Sequence, residues 1–537
     1  MTAGARRAAA LVLGLFAAAL ALDVAGIGWG LPSAERSRNA PLDVRWYAAP
    51  QTAARLYETA PYESYNPDEG AVLNALSHMR PRALDLNPHY FNYPTLWIYA
   101  TGAALAAAAA AGAVRLEHAK AYYLARPEAM AAVYRVGRLL AATFAACGVV
   151  LVFVAVRTLF DAPTAALAGL ALALTPLWVR DAHFMLVNVP AAVWMAASAA
   201  LAARALARGS TAALVASGLA AGLAASTKYP AGAVVALPLL VAAERAARAG
   251  RRRTAGGVAA VVAAALVGFV AGTPYAVLAP REALAGIAFE ARDKSGLAPP
   301  GLVAAGLVLA QGTVLAAVTV AGLGLVAVRI RDARHRFVLA WVAAGLAQRL
   351  VSPADPLRYL VLALPPLAVA AGLALAALRR ALGGRVVGTA AALLLLAPAL
   401  GYALDVDRVL CGPDVRTVAA GWIAAQGARA VAVPGSLYFD MPPLDAERRR
   451  IVDLGTPEAG AADLAVVPST RLARARPSLA GRATLAVFRQ GPLALWTWPV
   501  AARPSDWAFT FLDVYVFGRT RTAPLRGPSV TEVTRDP

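Results

Sequence analysis

The stretch VPAAVWMAASAALAARALARGSTAALVASGLAAGLAASTKYPAGAVVALPLLVAAERAARAGRRR, residues 189–253, decides the architecture. Its apolar blocks Val189–Leu206, Ala212–Ser226 and Ala231–Ala243 alternate with Arg204 and Arg208, with Lys228-Tyr229, and with the run RAARAGRRR from Arg245 to Arg253. A helix of about 20 apolar residues crosses a bilayer, and arginines between such blocks mark cytoplasmic loops. The pattern extends outward in both directions. Further blocks lie at Leu11–Gly28, Leu96–Val114, Val136–Val156, Thr164–Val179, Val258–Gly272, Leu302–Val328, Phe337–Val351, Tyr359–Leu378 and Val386–Leu400. Over all 537 residues the chain is 59% hydrophobic and 15% charged, with a mean hydropathy of +0.58, which excludes a disordered or ordinary soluble protein. The net charge of +20 comes from clusters in loops, not from one face or a tail, so it predicts cytoplasmic loops and no nucleic-acid partner. The two cysteines, Cys147 and Cys411, make neither a disulfide framework nor a thiolate metal site. Arg6-Arg7 followed by Ala8–Leu22, without a small-residue cleavage site, reads as a retained signal anchor.

Charge and parity together predict the topology. The clusters Arg204/Arg208, Arg245–Arg253, Arg329–Arg336 (RIRDARHR) and Arg379–Arg385, with Arg6-Arg7, all read as cytoplasmic. Five blocks separate Arg7 from Arg204, and five crossings would put Arg204 outside. One block therefore does not cross. The Ala-rich Leu96–Val114, preceded by a long polar stretch, is the best candidate for a juxtamembrane or re-entrant helix. The expectation is a mainly α, polytopic transmembrane helix bundle of about 11 spans over residues 1–404, in the inner or plasma membrane, with a cytoplasmic N-terminus. The outer face then holds the long first loop 29–134, the loop Arg180–Asn188 and the loop Thr273–Gly301. From residue 405 to 537 the long apolar blocks end. A helix-like run at Val415–Gln426 and strand-like runs at Ala430–Val433, Leu464–Val467 and Thr484–Phe488 predict a small soluble extracytoplasmic α/β domain. No internal repeat is visible.

Chemistry-bearing residues concentrate in the outer loops. Asn66-Pro67-Asp68-Glu69 offers adjacent carboxylates that suit a general base and a metal or orienting ligand. The same residues also make a helix start, with Asn66 as N-cap, Pro67 at the first position and Glu69 closing a capping box. The run Asn87-Pro88-His89-Tyr90-Phe91-Asn92-Tyr93-Pro94, with Tyr229 and Tyr359, supplies rings that stack on sugars or anchor at the membrane interface. Arg180-Asp181-Ala182-His183 and Asn188 place ionisable groups between two spans, where they either function or pair with one another. Lys228 and Arg358 stand at span ends, where each can bind a phosphate or snorkel. Glu290, Arg292, Asp293 and Lys294 read as a solvated surface.

Taken in order, a Pro-Asp-Glu motif, Asn-Pro-x-x-Phe-x-Tyr-Pro (Asn87–Pro94), Arg-x-x-His-Phe (Arg180–Phe184), Lys228-Tyr229 after a Gly-rich span and Arg358-Tyr359 before a Pro-containing span resemble the C-type membrane glycosyltransferases. The likeness runs from Met1 to about Leu400 and points to bacterial relatives of the protein O-mannosyltransferases and aminoarabinose transferases. It implies a glycosyltransferase that takes a hexose or pentose from a polyprenyl-phosphate donor to a hydroxyl of a protein, lipid or glycan acceptor. It also implies Asp68 as base and Glu69 as orienting group or ligand of a divalent cation, Mg²⁺ or Mn²⁺. Relatives often carry an acid where this chain has Asn188, whose carbonyl oxygen can still coordinate. Displacing a prenyl phosphate builds negative charge, for which Lys228, Arg358, Arg180 and His183 are the candidate partners. Tyr93, Tyr229, Tyr359 and His89 are the candidate pocket. A lipid transporter or flippase, or an inactive scaffold of the cell envelope, are the rival readings. The long first loop and the missing repeats count against the transporter.

Overall fold

The computed structural model describes residues 3–34, 36, 63–249, 251–292, 296–353, 356–383, 385–434, 440–444, 448–491, 494–497, 504, 506–507 and 510–518. Asp293 and Lys294 lie outside these residues. The chain is mostly helical up to Ala425, and a five-stranded sheet follows. Starts are set locally. Proline occupies an opening position of the helices Pro67–His78, Pro127–Leu159, Pro176–Ala182 and Pro300–Gln311, while Asp161, Ser210 and Asp332 cap the helices that follow them.

Among the described residues, four segments are long and apolar enough to cross a bilayer: Pro127–Leu159, Asn188–Arg208, Leu357–Ala381 and Arg385–Cys411. Two bent pairs raise the number to six. Ala162–Ala173 joins Pro176–Ala182 at 60°, and Pro300–Gln311 joins Thr313–Val328 at 119° across Gly312, whose φ of 76° favours glycine. Helix length thus establishes a multi-pass membrane protein but is coarser than the eleven spans expected from charge. The shorter apolar helix Thr211–Ala225 packs on Arg251–Gly272 through Gly218 and Gly222. A Cβ at either glycine would run into the backbone of Val261 or Ala265, the close approach that Gly-x-x-x-Gly permits between membrane helices.

The helix expected over 96–114 spans Leu96–Ala110. Fifteen residues rise about 22 Å, short of the roughly 30 Å hydrocarbon core. Its start is tied to the ends of two neighbouring helices: Leu96 N–H donates to the Ser226 carbonyl at 3.0 Å, and Thr95 Oγ1 donates to the Gly272 carbonyl at 2.7 Å.

Cations from the Arg-rich loops gather at one end of the bundle. There Arg380 approaches Asp161 at 3.6 Å, Arg334 donates to the Leu159 carbonyl, Arg336 pairs with Glu244 at 2.6 Å, and Arg245 donates to the Ser210 and Gly209 carbonyls. The residues singled out for chemistry gather elsewhere.

The helix Arg385–Cys411 runs through the expected boundary at 404, so the sheet-bearing segment begins beyond it. After the helix Val415–Ala425 come β1 (Ala430–Val433), β2 (Arg450–Asp453), β3 (Leu464–Pro468), β4 (Ala483–Arg489) and β5 (Asp513–Gly518). Their order is β2-β1-β3-β5-β4, with β1 parallel to β2 and β3, and β5 antiparallel to β3 and β4. Val415, Ala419 and Ile423 of the helix bury against Val431, Val433, Val466 and Val514 of the sheet.

Candidate active site

Asn66 lies in extended backbone just before the helix Pro67–His78 and accepts the Asp68 N–H at its side chain. The helix start is therefore real, but the capping box is not completed by Glu69. Ser64 takes that place, its hydroxyl receiving the Asn66 N–H at 3.1 Å. The two adjacent carboxylates then part company, because successive positions on a helix face different directions.

Glu69 points inward and is fully buried. Arg138 grips it in a fork, Nε to Oε1 at 2.9 Å and Nη2 to Oε2 at 2.6 Å. Met185 N–H at 2.9 Å and Ser64 Oγ at 2.6 Å complete four hydrogen bonds. Arg138 also donates from Nη1 to the carbonyls of Ile27 and Trp29. This pair clamps the turn after the first helix (Ile27 and Trp29), the start of the helix Pro67–His78 and the segment around Met185 together. With every in-plane lone pair of Glu69 occupied, it does not fit the role of ligand to a divalent cation.

Asp68 points the other way, its side chain 24% exposed, and its Oδ2 stands 3.3 Å from Arg358 Nη2. From there a chain of alternating charge crosses the site. Arg358 Nη1 lies 3.9 Å from Asp506, which also accepts the N–H groups of Leu357 at 2.7 Å and Arg358 at 3.0 Å. Asp506 reaches Arg180 at 3.4 Å, and Arg180 binds Asp181 at 2.8 Å. Asp181 accepts from Asn188 Nδ2 at 3.4 Å, and Asn188 Oδ1 accepts from Lys228 Nζ at 2.7 Å. Three cations face three carboxylates in this chain. Among the described residues, Arg180 Nη1 is buried without a hydrogen-bond partner.

Asn188 is thus an orienting group for Lys228, not a metal ligand, since an ammonium already occupies its carbonyl oxygen. Among the described residues no three His, Cys, Asp or Glu side chains are grouped so as to hold a metal ion. With Glu69 and Asn188 both engaged, the implied divalent cation does not fit these residues.

Lys228 is presented by extended backbone between the helix Thr211–Ala225 and the 3₁₀ turn Tyr229–Val235. Its ammonium lies 5.3 Å from the Tyr359 ring centroid, a cation–π contact. Beside it opens a cavity of about 390 Å³ lined by Tyr93, Lys228, Tyr229, Glu290, Gln348, Ser352 and Tyr359, with apolar Ile287 and Val351. Burial, and then the Asp68 carboxylate, push the Tyr93 phenol well above its ordinary range. Burial and Glu290 push Tyr229 up to about 12. Both phenols therefore keep their protons and can donate at neutral pH.

Of the eleven residues expected at the site, Tyr93, Lys228, Tyr229 and Tyr359 line one cavity, while Asp68, Arg358, Arg180 and Asn188 belong to the charged chain beside it. His183 does not join them. Its two ring nitrogens face the backbone carbonyls of Val179 at 2.7 Å and Ala25 at 2.5 Å, so it fastens the first helix instead of facing a phosphate. His89 stands exposed, paired with Glu282 at 3.0 Å, outside the cavity lining. Arg138 and Asp506 were not anticipated. An arginine inside the apolar block Val136–Val156 is a visible signal; nothing local in the sequence marks Asp506.

Residues 130–274, which carry Arg138, Arg180, Asn188 and Lys228, match the family model described as dolichyl-phosphate-mannose-protein mannosyltransferase, in agreement with the resemblance read from the motifs. No curated protein matches the chain. Similar solved structures include ArnT from Cupriavidus metallidurans bound to undecaprenyl phosphate (17% identity, TM-score 0.46, 96% of this chain and 99% of that one). They also include the oligosaccharyltransferase AglB from Archaeoglobus fulgidus with an inhibitory peptide and a dolichol-phosphate (13%, 0.40, 91% and 75%). A third is the arabinofuranosyltransferase AftD from Mycobacteria (15%, 0.43, 95% and 40%).

Proposed function

We propose that this membrane protein transfers a sugar from a polyprenyl-phosphate donor to an acceptor hydroxyl at the extracytoplasmic face, with inversion at the anomeric carbon. The observation that carries the reading is the aromatic cavity with Lys228 in its wall and the Asp68–Arg358 pair beside Tyr93. A neutral sugar suits the tyrosine-rich walls, and the phosphate suits the cations. The description of the matched family model names a sugar carried on a lipid phosphate, which supports this donor class.

In the reaction, the donor phosphate draws Lys228 and Arg358 toward its oxygens. Arg358 then loosens its hold on Asp68. The freed carboxylate accepts the acceptor's hydroxyl proton as that oxygen attacks the anomeric carbon, and the bond to the phosphate oxygen breaks. The departing charge is met by cations already in place, which need no reorganisation at that moment. One base and one displacement suffice, so no carboxylate nucleophile is required.

We take the end of the bundle holding Arg245, Arg334, Arg336 and Arg380 as cytoplasmic, by the excess of arginine there. With Leu96–Ala110 lying at the outer surface, about eleven spans then put the site and the sheet-bearing segment outside. The test is reconstitution of purified protein with labelled polyprenyl-phosphate sugars and a mixed acceptor panel. Transfer of label supports the reading. Movement of the lipid across the bilayer without transfer would favour the flippase instead.

A further inference from the structure

We infer that Glu290 is a specificity-determining residue for the proposed transfer: its carboxylate takes hydrogen bonds from the hydroxyl or ammonium groups of the donor's sugar ring, while Lys228 takes the phosphate. This deepens the sugar-transfer reading above and rests on it. From the sequence Glu290 reads as solvated surface, but the fold turns it to the cavity. It lies near the end of the helix Pro280–Arg292, where Ala283, Gly286, Ile287 and Glu290 form one stripe at spacings of three and four residues. Ala283 is buried, and Ile287 and Glu290 stand in the cavity wall. Gly286 fixes the rotation of the helix. A Cβ there would run into the backbone and Cβ of Phe91, so the stripe lies close against the run Asn87–Pro94. Leu284 and Phe289, on the face turned away, are 66% and 60% exposed.

Among the described residues lining the cavity, Glu290 is the one carboxylate and Lys228 the one cation. The charge of Glu290 is felt by the rings around it: burial first, and then this carboxylate, raises the phenols of Tyr229 and Tyr90. Tyr229 gives its proton to the Phe91 carbonyl at 3.0 Å, so it is not the donor that Glu290 serves. An ionised carboxylate only accepts hydrogen bonds, and it repels a phosphate oxygen. A cavity holding one cation and one carboxylate therefore takes a sugar-bearing phosphate in one orientation, with the phosphate at Lys228 and the ring toward Glu290. Ring hydroxyls, or an ammonium on the ring, supply the donors that the carboxylate accepts. A hydrogen bond to a charged acceptor is about twice as strong as one between neutral groups. Asn92, also in the lining, adds an amide that both donates and accepts.

The test measures binding of bare undecaprenyl phosphate, and of undecaprenyl phosphate carrying mannose, glucose, arabinose or 4-amino-arabinose, to wild type and Glu290→Ala in the same nanodiscs. Alanine keeps the helix, being the best helix former. Wild type should bind at least one sugar-bearing lipid more tightly than the bare one. Glu290→Ala should lose about 10-fold or more of that preference, the worth of a hydrogen bond to a charged group. It should bind the bare lipid as well as wild type or better, since a negative charge has left the cavity. A preference shared by the neutral sugars assigns the contact to hydroxyls, and one confined to the amino sugar assigns it to the ammonium. If Glu290→Ala does not fold, Glu290→Gln is read by the same ratio. An unchanged ratio, or a wild type that binds all five lipids alike, overturns the role of Glu290 while leaving the transferase reading intact. A wild type that binds none of the five overturns the transferase reading itself.

Discussion

Replacing Glu69 by Gln probes how the two neighbouring carboxylates divide their labour. The native carboxylate accepts four hydrogen bonds, two from Arg138, one from Ser64 and one from the Met185 amide, and both members of the ion pair are 0% exposed. A glutamine keeps one accepting oxygen and turns an NH₂ toward an Arg138 N–H, which can only donate. It also leaves the Arg138 guanidinium buried without its counter-charge. Removing one partner of a buried pair costs about 3–5 kcal/mol, because the other charge stays desolvated. The variant should therefore melt well below wild type in detergent, and the first helix should become protease-sensitive, since Arg138 also holds the Ile27 and Trp29 carbonyls. Replacing both partners, Glu69→Leu with Arg138→Met, should cost less than Glu69→Gln alone, because no buried charge is then left unpaired. A Glu69→Gln protein that melts like wild type would refute the clamp and return Glu69 to the list of catalytic candidates.

Asp506→Asn should raise the apparent donor KM about 10-fold and also lower the melting temperature, because the buried Asp506 sets the positions of Arg358 and Arg180 and balances their charge; steady-state kinetics across donor concentration and thermal melting read this. Asn188→Asp should also raise the donor KM, since a carboxylate would hold the Lys228 ammonium more tightly than the amide does. Activity should survive EDTA in both wild type and Asn188→Asp; loss on chelation, restored by Mg²⁺ or Mn²⁺, would return a metal to the site. In a background with Cys147 and Cys411 replaced by alanine, a cysteine at Asp161 should resist membrane-impermeant maleimide added from outside, while one at Arg115 should react.

Much of this was legible in the sequence, and the omissions share a cause. The apolar blocks give the helices because burying backbone in hydrocarbon demands them, and β1, β3 and β4 fall on runs of Val, Ala and Leu. β2 was missed because Arg450–Asp453 is a short edge strand with charged ends and no alternation in burial. Asp68, Arg358, Lys228 and the three tyrosines stood out because charged and aromatic groups beside apolar blocks are conspicuous, and the structure brings them into one region. Glu69 was misread because its partner Arg138 lies 69 residues away. Asp506 is 326 residues from Arg180, and no local pattern announces an acid that docks on the far side of a fold. The two histidines misled for the opposite reason. They sit within conspicuous motifs, yet His183 is taken up by backbone carbonyls and His89 by Glu282.

The central claim is that Asp68 serves as base in transfer from a polyprenyl-phosphate sugar. Its most direct test is single-turnover transfer of labelled sugar by wild type and Asp68→Asn in the same bilayer preparation. Loss of a general base lowers the rate about 100- to 10,000-fold, whereas a partly exposed ion pair such as Asp68–Arg358 contributes only about 0–1 kcal/mol to stability. The account predicts transfer by wild type and a collapse of the rate in Asp68→Asn without loss of folded protein. Near-normal turnover by Asp68→Asn would contradict it.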